Sequence, residues 1–144
     1  MRQAYRVVAV LIMLMVLWQA GAVAGGWFEV ISDVDAGAAF ASEDDANLGH
    51  DLHSIGAMII PLLSLILVGL SFGARFDGAK KLAAFVLLAV VLQWVLAILA
   101  FETSAVIGAL HGINAFVIFG LALMCVRRAQ EAGRGSLTGA TSTV

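Results

Sequence analysis

His50, His53 and His111 are the three imidazoles of this chain, and each lies in or beside a long apolar run. An imidazole in such surroundings can ligate a metal or haem iron, move a proton, or simply hydrogen-bond. Away from the ends of those runs, few other polar groups share them: Gln19, Ser54, Ser64, Gln93 and Asn114. The arrangement these residues suit best is a single b-type haem with His53 and His111 as iron ligands. Haem iron takes axial ligands that face each other across a plate-like gap. Asn114, Gln19 and Gln93 would stand around that site. His50, three residues before His53, also permits a zinc or copper site made by His50, His53 and His111. No thiolate or carboxylate within the runs completes it. A quinone held by histidine and asparagine draws on the same residues. The plain alternative is interhelical hydrogen bonding, worth about 1 kcal/mol or less per bond, in a non-catalytic membrane subunit.

Other chemistries find no support. The single Cys125 excludes an internal disulfide, and CxxC, CxxCH and HExxH are absent. There is no Ser-His-Asp set at one depth, no glycine-rich phosphate loop and no carboxylate away from the ends of the runs. The chain is therefore not expected to be an enzyme by itself, and nothing suggests a nucleic-acid partner.

The elements that must position these residues are membrane helices. Hydrophobic residues make up 62% of the 144 and charged residues 12%, with a mean hydropathy of +1.02. Soluble domains are about half apolar and about a quarter charged. Four apolar runs, about 7–28, 48–72, 82–101 and 105–126, each approach the ~20 residues that cross a ~30 Å hydrocarbon core as a helix. The expected fold is all-α, an up-and-down four-helix transmembrane bundle, and the lipid bilayer is its first partner.

Charge sets the expected orientation. Arg2 and Arg6 precede the first run, Arg75, Lys80 and Lys81 lie between the second and third, and Arg127, Arg128 and Arg134 follow the fourth. All the basic residues thus fall on one side, which puts both termini in the cytoplasm of a bacterial inner-membrane protein. Glu29, Asp33, Asp35, Glu43, Asp44, Asp45, Asp51 and Glu102 fall on the other. The first run also has the three zones of a secretory signal peptide, ending near Ala24. Retention as a helix is favoured, because the run is long and extends to Trp27 and Phe28. Residues 29–47 read as an acidic extracytoplasmic loop, in which Asp33-Val-Asp-Ala-Gly37 echoes the start of a calcium loop without its later ligands. Residues 129–144 read as a disordered cytoplasmic tail. Thr103 or Ser104 can cap the fourth helix.

Depth then singles out two histidines. At 1.5 Å per residue, His53 and His111 lie about 7 and 10 Å along their helices from the outer side. The second and fourth helices stand diagonally in an up-and-down bundle. Gln19 and Gln93 fall in the same outer half. Around both histidines the helical neighbours are mostly small, including Gly49, Gly56, Ala57, Gly108, Gly112 and Ala115. Such a face admits a close helix, as in the GxxxG pattern of Gly108 and Gly112, or a flat cofactor. Pro61 cannot donate to the Ala57 carbonyl, so a bend is expected just below His53. Gly69 to Gly73 offers a further close-packing face for a second copy or a membrane redox partner.

The segment Leu52-His53-Ser54-Ile55-Gly56, paired with LHGINAFVIFGLAL from Leu110 to Leu123, resembles an uncharacterised family of small actinobacterial four-helix integral membrane proteins. The resemblance spans most of the chain. It implies fold and membrane location but no activity, and His53, His111 and Asn114 match its polar motif. Where that family often has a proline after the second histidine, this chain has Gly112, which leaves the local helix geometry open. The bundle is also broadly similar to b561-type cytochromes in placing histidines on facing helices. It lacks their set of four, so that likeness implies no more than one haem.

Overall fold

The computed structural model describes residues 1–39 and 47–141, from 135 onward as backbone only. These residues form four helices and no strand: α1 Arg2–Asp35, α2 Leu48–Ser71, α3 Ala79–Glu102 and α4 Ala105–Thr141. All four are long and apolar enough to cross a membrane. α2 and α3, at 24 residues, span about 36 Å. In lipid the backbone has no water to bond, so long apolar runs satisfy it internally as helix.

The helices pack in a ring. α1 lies against α2 and α4, and α3 lies against α4 and α2. No backbone contact joins α2 to α4 or α1 to α3, so α2 and α4 face each other diagonally across the core. The seam between α1 and α2 is the closest approach. Gly49 lies against the backbone of Gly26 and the Ala22 carbonyl, Gly56 against Gln19, and Gly73 against the Met1 side chain. Pro61 lies within α2, which runs unbroken through it.

The buried core occupies the arginine end and middle of the bundle. It includes Tyr5, Ala9, Ile12 and Val16 of α1, Leu67 of α2, Ala83 and Val86 of α3, and Ile118 and Cys125 of α4. Tyr5 precedes the apolar run expected to start at Val7, yet its side chain is fully buried. Its hydroxyl donates to the Ala79 carbonyl at 3.1 Å and lies 3.1 Å from Cys125 Sγ. Its ring meets Phe76 edge-on, with centroids 5.3 Å apart.

Two helices run past the apolar runs expected for them. α1 continues through Glu29 to Asp35, because Val30, Ile31 and Val34 extend the apolar run. It ends where Gly37 takes φ +95° and the N–H groups of Ala36, Gly37 and Ala38 return to Ser32, Val34 and Asp33. The apparent calcium loop at Asp33–Gly37 is this helix end. Glu43, Asp44 and Asp45 of the expected loop lie outside the described residues. α4 likewise continues past Arg128 to Thr141. There Ala129 is buried, Arg128 pairs with Glu131 at 3.6 Å, and Arg2 Nη1 donates to the Ala132 carbonyl at 2.9 Å. Helix-favouring Arg, Ala, Gln and Glu in this stretch extend the helix beyond its apolar part.

Candidate functional site

Above the core, each of two helix pairs closes on itself through a glutamine and a histidine. Gln19 Nε2 of α1 donates to the His53 carbonyl of α2 at 2.8 Å, and His53 Nδ1 returns to the Gln19 carbonyl at 3.2 Å. Between α3 and α4 the same exchange recurs. Gln93 Nε2 donates to the His111 carbonyl at 3.0 Å, and His111 Nδ1 meets the Gln93 carbonyl at 3.0 Å. A carbonyl oxygen can only accept, so Nδ1 carries the proton in both rings. In the neutral ring the lone pair is then on Nε2.

The likeness of the two pairs extends along the helices. Leu52-His53-Ser54-Ile55-Gly56-Ala57-Met58-Ile59 of α2 repeats 58 residues later as Leu110-His111-Gly112-Ile113-Asn114-Ala115-Phe116-Val117 of α4. The same shift aligns buried Gly56 with Asn114, Ile60 with Ile118, Ser64 with Ala122, Leu67 with Cys125 and Ser71 with Ala129. A shift of 74, the separation of Tyr5 from Ala79, aligns α1 with α3. It superposes buried Ala9 on Ala83, Ile12 on Val86 and Val16 on Val90, and sets Gln19 on Gln93. The bundle is two copies of one helical-hairpin packing scheme, with the histidines as equivalent positions.

One difference breaks the equivalence. Asn114 is buried and its Nδ2 donates to the Ala89 carbonyl at 2.8 Å and to Gln93 Oε1 at 2.7 Å. It bonds α3 rather than an imidazole. Its counterpart is Gly56, where a side chain would collide with the Gln19 carboxamide. Gln19 Oε1 consequently lies buried with no hydrogen-bond partner. The glutamines should therefore respond unequally to substitution. Gln93→Leu removes a bond to His111 and strips Asn114 of one acceptor, whereas Gln19→Leu removes one bond and also an unsatisfied oxygen. Gln93→Leu is expected to be the more destabilising by about 1 kcal/mol, read from reversible unfolding of the purified protein in mixed micelles.

The histidines of the two pairs come together across the diagonal. Their ring centroids are 6.3 Å apart and their planes are inclined at 58°. Two Nε2 atoms sharing one metal at about 2.0–2.1 Å each place the ring centroids about 6 Å apart. The centroid spacing of His53 and His111 is of that size. Beyond the histidines toward the other end, residues 95–113 contribute no buried side chain, and Gly26 at the α1–α2 seam is the one buried residue of α1 past Val16. The tightly packed core stops at the histidine layer.

Sequence reading placed His53, His111, Asn114, Gln19 and Gln93 in the outer half of the spans, and the structure brings all five together. His50 stands apart, edge-on to Trp27 with centroids 5.4 Å apart. Among the described residues no three His, Cys, Asp or Glu side chains form a metal-binding group. Gly108 lies near Ala100, but nothing lies within 4 Å of where a Gly112 side chain would start, so the GxxxG pair does not form one close-packed face. Ser104 does cap α4, accepting from the Val106 N–H at 3.1 Å. Sequence reading overlooked Asn47. It caps α2 by accepting from the His50 N–H at 3.2 Å and ties it to α1 by donating to the Gly26 carbonyl at 2.7 Å. The signal was available as an asparagine directly before an apolar run. No family model, curated protein or solved structure matches the chain.

Proposed function

We propose that this chain is a multi-pass protein of a bacterial cytoplasmic membrane that holds one haem b between Nε2 of His53 and Nε2 of His111 for electron transfer near the outer face. The observation that carries the reading is the pair of imidazoles meeting at 6.3 Å across diagonal helices, each fixed through Nδ1 to a backbone carbonyl. Ligating histidines characteristically donate their other ring N–H in this way, which sets the tautomer and the ring orientation. The topology is up-and-down with both ends in the cytoplasm, because every Lys and Arg falls at one end of the spans. The resemblances to the actinobacterial family and to b561-type cytochromes agree with this.

Haem supplies one-electron transfer when bound. The chain's own residues fix the donors. Gln19 and Gln93 lock the helix pairs at the height of the histidines, and Asn114 holds Gln93 in place. The histidine layer lies near the outer face on this reading, so the partner is a quinol or a redox protein at the outer surface. Titration of the purified protein with haem, followed by visible absorption, tests the reading; saturation at one haem per chain is expected.

A second reading rests on the glutamine–histidine exchanges themselves. They are four interhelical hydrogen bonds in a chain of low polarity. On that reading the protein is a non-catalytic membrane subunit whose polar residues set helix register. It predicts loss of stability on substitution of the histidines and no haem.

A further inference from the structure

At the opposite end of the bundle, the first turns of α1 and the end of α4 enclose a groove of about 540 Å³ lined by Arg2, Gln3, Arg6, Gln130, Gly133 and Arg134, among others. Guanidinium-bearing residues from both ends of the chain line it, Arg2 and Arg6 from α1 and Arg134 from α4, and no carboxylate is among its described lining residues. Glu131, the acid of this stretch, is paired with Arg128 instead. Arg2 is braced, since its Nη1 donates to the Ala132 carbonyl, and its remaining N–H groups are not used by that bond. The groove lies within the ~300–1,000 Å³ range of small-molecule sites.

We propose that this groove binds a phosphate ester, the headgroup of an anionic membrane lipid, between Arg2, Arg6 and Arg134. Guanidinium groups present planar N–H forks that match phosphate oxygens two at a time. Basic pockets between membrane helices on the cytoplasmic side suit anionic headgroups. The groove lies beside the polar ends of spans α1 and α4, where lipid phosphates run. The proposal rests on the membrane placement of the chain and is independent of haem.

The test uses the full-length protein in neutral detergent, with native mass spectrometry reading the binding of phosphatidylglycerol, of phosphatidylcholine with the same acyl chains, and of inorganic phosphate. Phosphatidylglycerol is expected to bind about tenfold or more tighter than phosphatidylcholine, the scale of two interfacial arginines. The Arg6→Gln/Arg134→Gln variant, which spares the Arg2 brace, is expected to lose that preference. Arg127→Gln/Arg128→Gln removes the same charge outside the groove and is expected to keep it. Should the first variant not fold, Arg6→Lys/Arg134→Lys keeps the charge, loses the forks and is expected to reduce the preference. Inorganic phosphate that displaces the lipid at millimolar concentration overturns the lipid assignment in favour of free phosphate; failure to displace it supports the lipid. Equal binding of the two lipids, or equal loss in both glutamine variants, overturns the proposal.

Discussion

Gly49→Ala destabilises the protein by about 2–3 kcal/mol, the upper range for overpacking a well-packed contact. A Cβ at Gly49 would run into the backbone nitrogen and Cα of Gly26 and the Ala22 carbonyl. Backbone cannot rotate away as a side chain can, so α1 and α2 must separate. Separation breaks the Asn47 bond to the Gly26 carbonyl and loosens the Gln19–His53 exchange further along the same seam. Gly69→Ala and Gly112→Ala are the controls. Nothing lies within 4 Å of either position, so alanine adds no contact and gains helix propensity of up to about 1 kcal/mol. Unfolding of the purified proteins in mixed micelles should rank Gly49→Ala far below wild type and the two controls at or above it. Equal behaviour of all three glycines would mean that α1 and α2 do not approach as described.

His53→Ala and His111→Ala each weaken haem binding by about 100-fold or more, and by similar amounts. Changes among residues that merely support a metal ligand already cost about 10–100-fold, and loss of the ligand itself costs at least as much. Similar losses follow because the two histidines are equivalent positions of a repeated packing scheme, each with Nδ1 on a glutamine carbonyl. Each single variant leaves one imidazole, so residual haem is five-coordinate and high-spin; the double variant binds none. His50→Ala leaves the spectrum unchanged, because His50 packs on Trp27 rather than at the shared site. The measurement is a haem titration of each variant followed by visible absorption. If the histidines only tie helices together, the single variants lose stability and their spectra show nothing.

Much of this arrangement was legible from residue types. Four spans followed from hydrophobicity, and the matching depth of His53 and His111 followed from helix rise and basic-residue placement. The pairing of each glutamine with one histidine was not legible, because equal depth does not say which helix face a residue takes. The repeat would have said so: Leu-His-x-Ile-x-Ala occurs twice, and its second difference, Gly56 against Asn114, marks where the copies diverge. Asn114 shares a helix face with His111, and its position left a ring nitrogen, another helix or a ligand as candidate partners. It turns to α3 because Ala89 and Gln93 offer two acceptors there. The helix ends were misjudged where charge was read as loop. Helix continues through Glu29 to Asp35 and through the stretch after Arg128. Tyr5 escaped notice because it precedes the aliphatic run, although its hydroxyl reaches two helices.

The central claim is that His53 and His111 share one iron. It is tested most directly by titrating the purified full-length protein with haem and recording visible absorption and electron paramagnetic resonance of the oxidised product. The account predicts saturation at one haem per chain and the low-spin signal of an iron held by two imidazoles. A protein that stays colourless with haem in excess, or that binds it only in a high-spin form, contradicts the account.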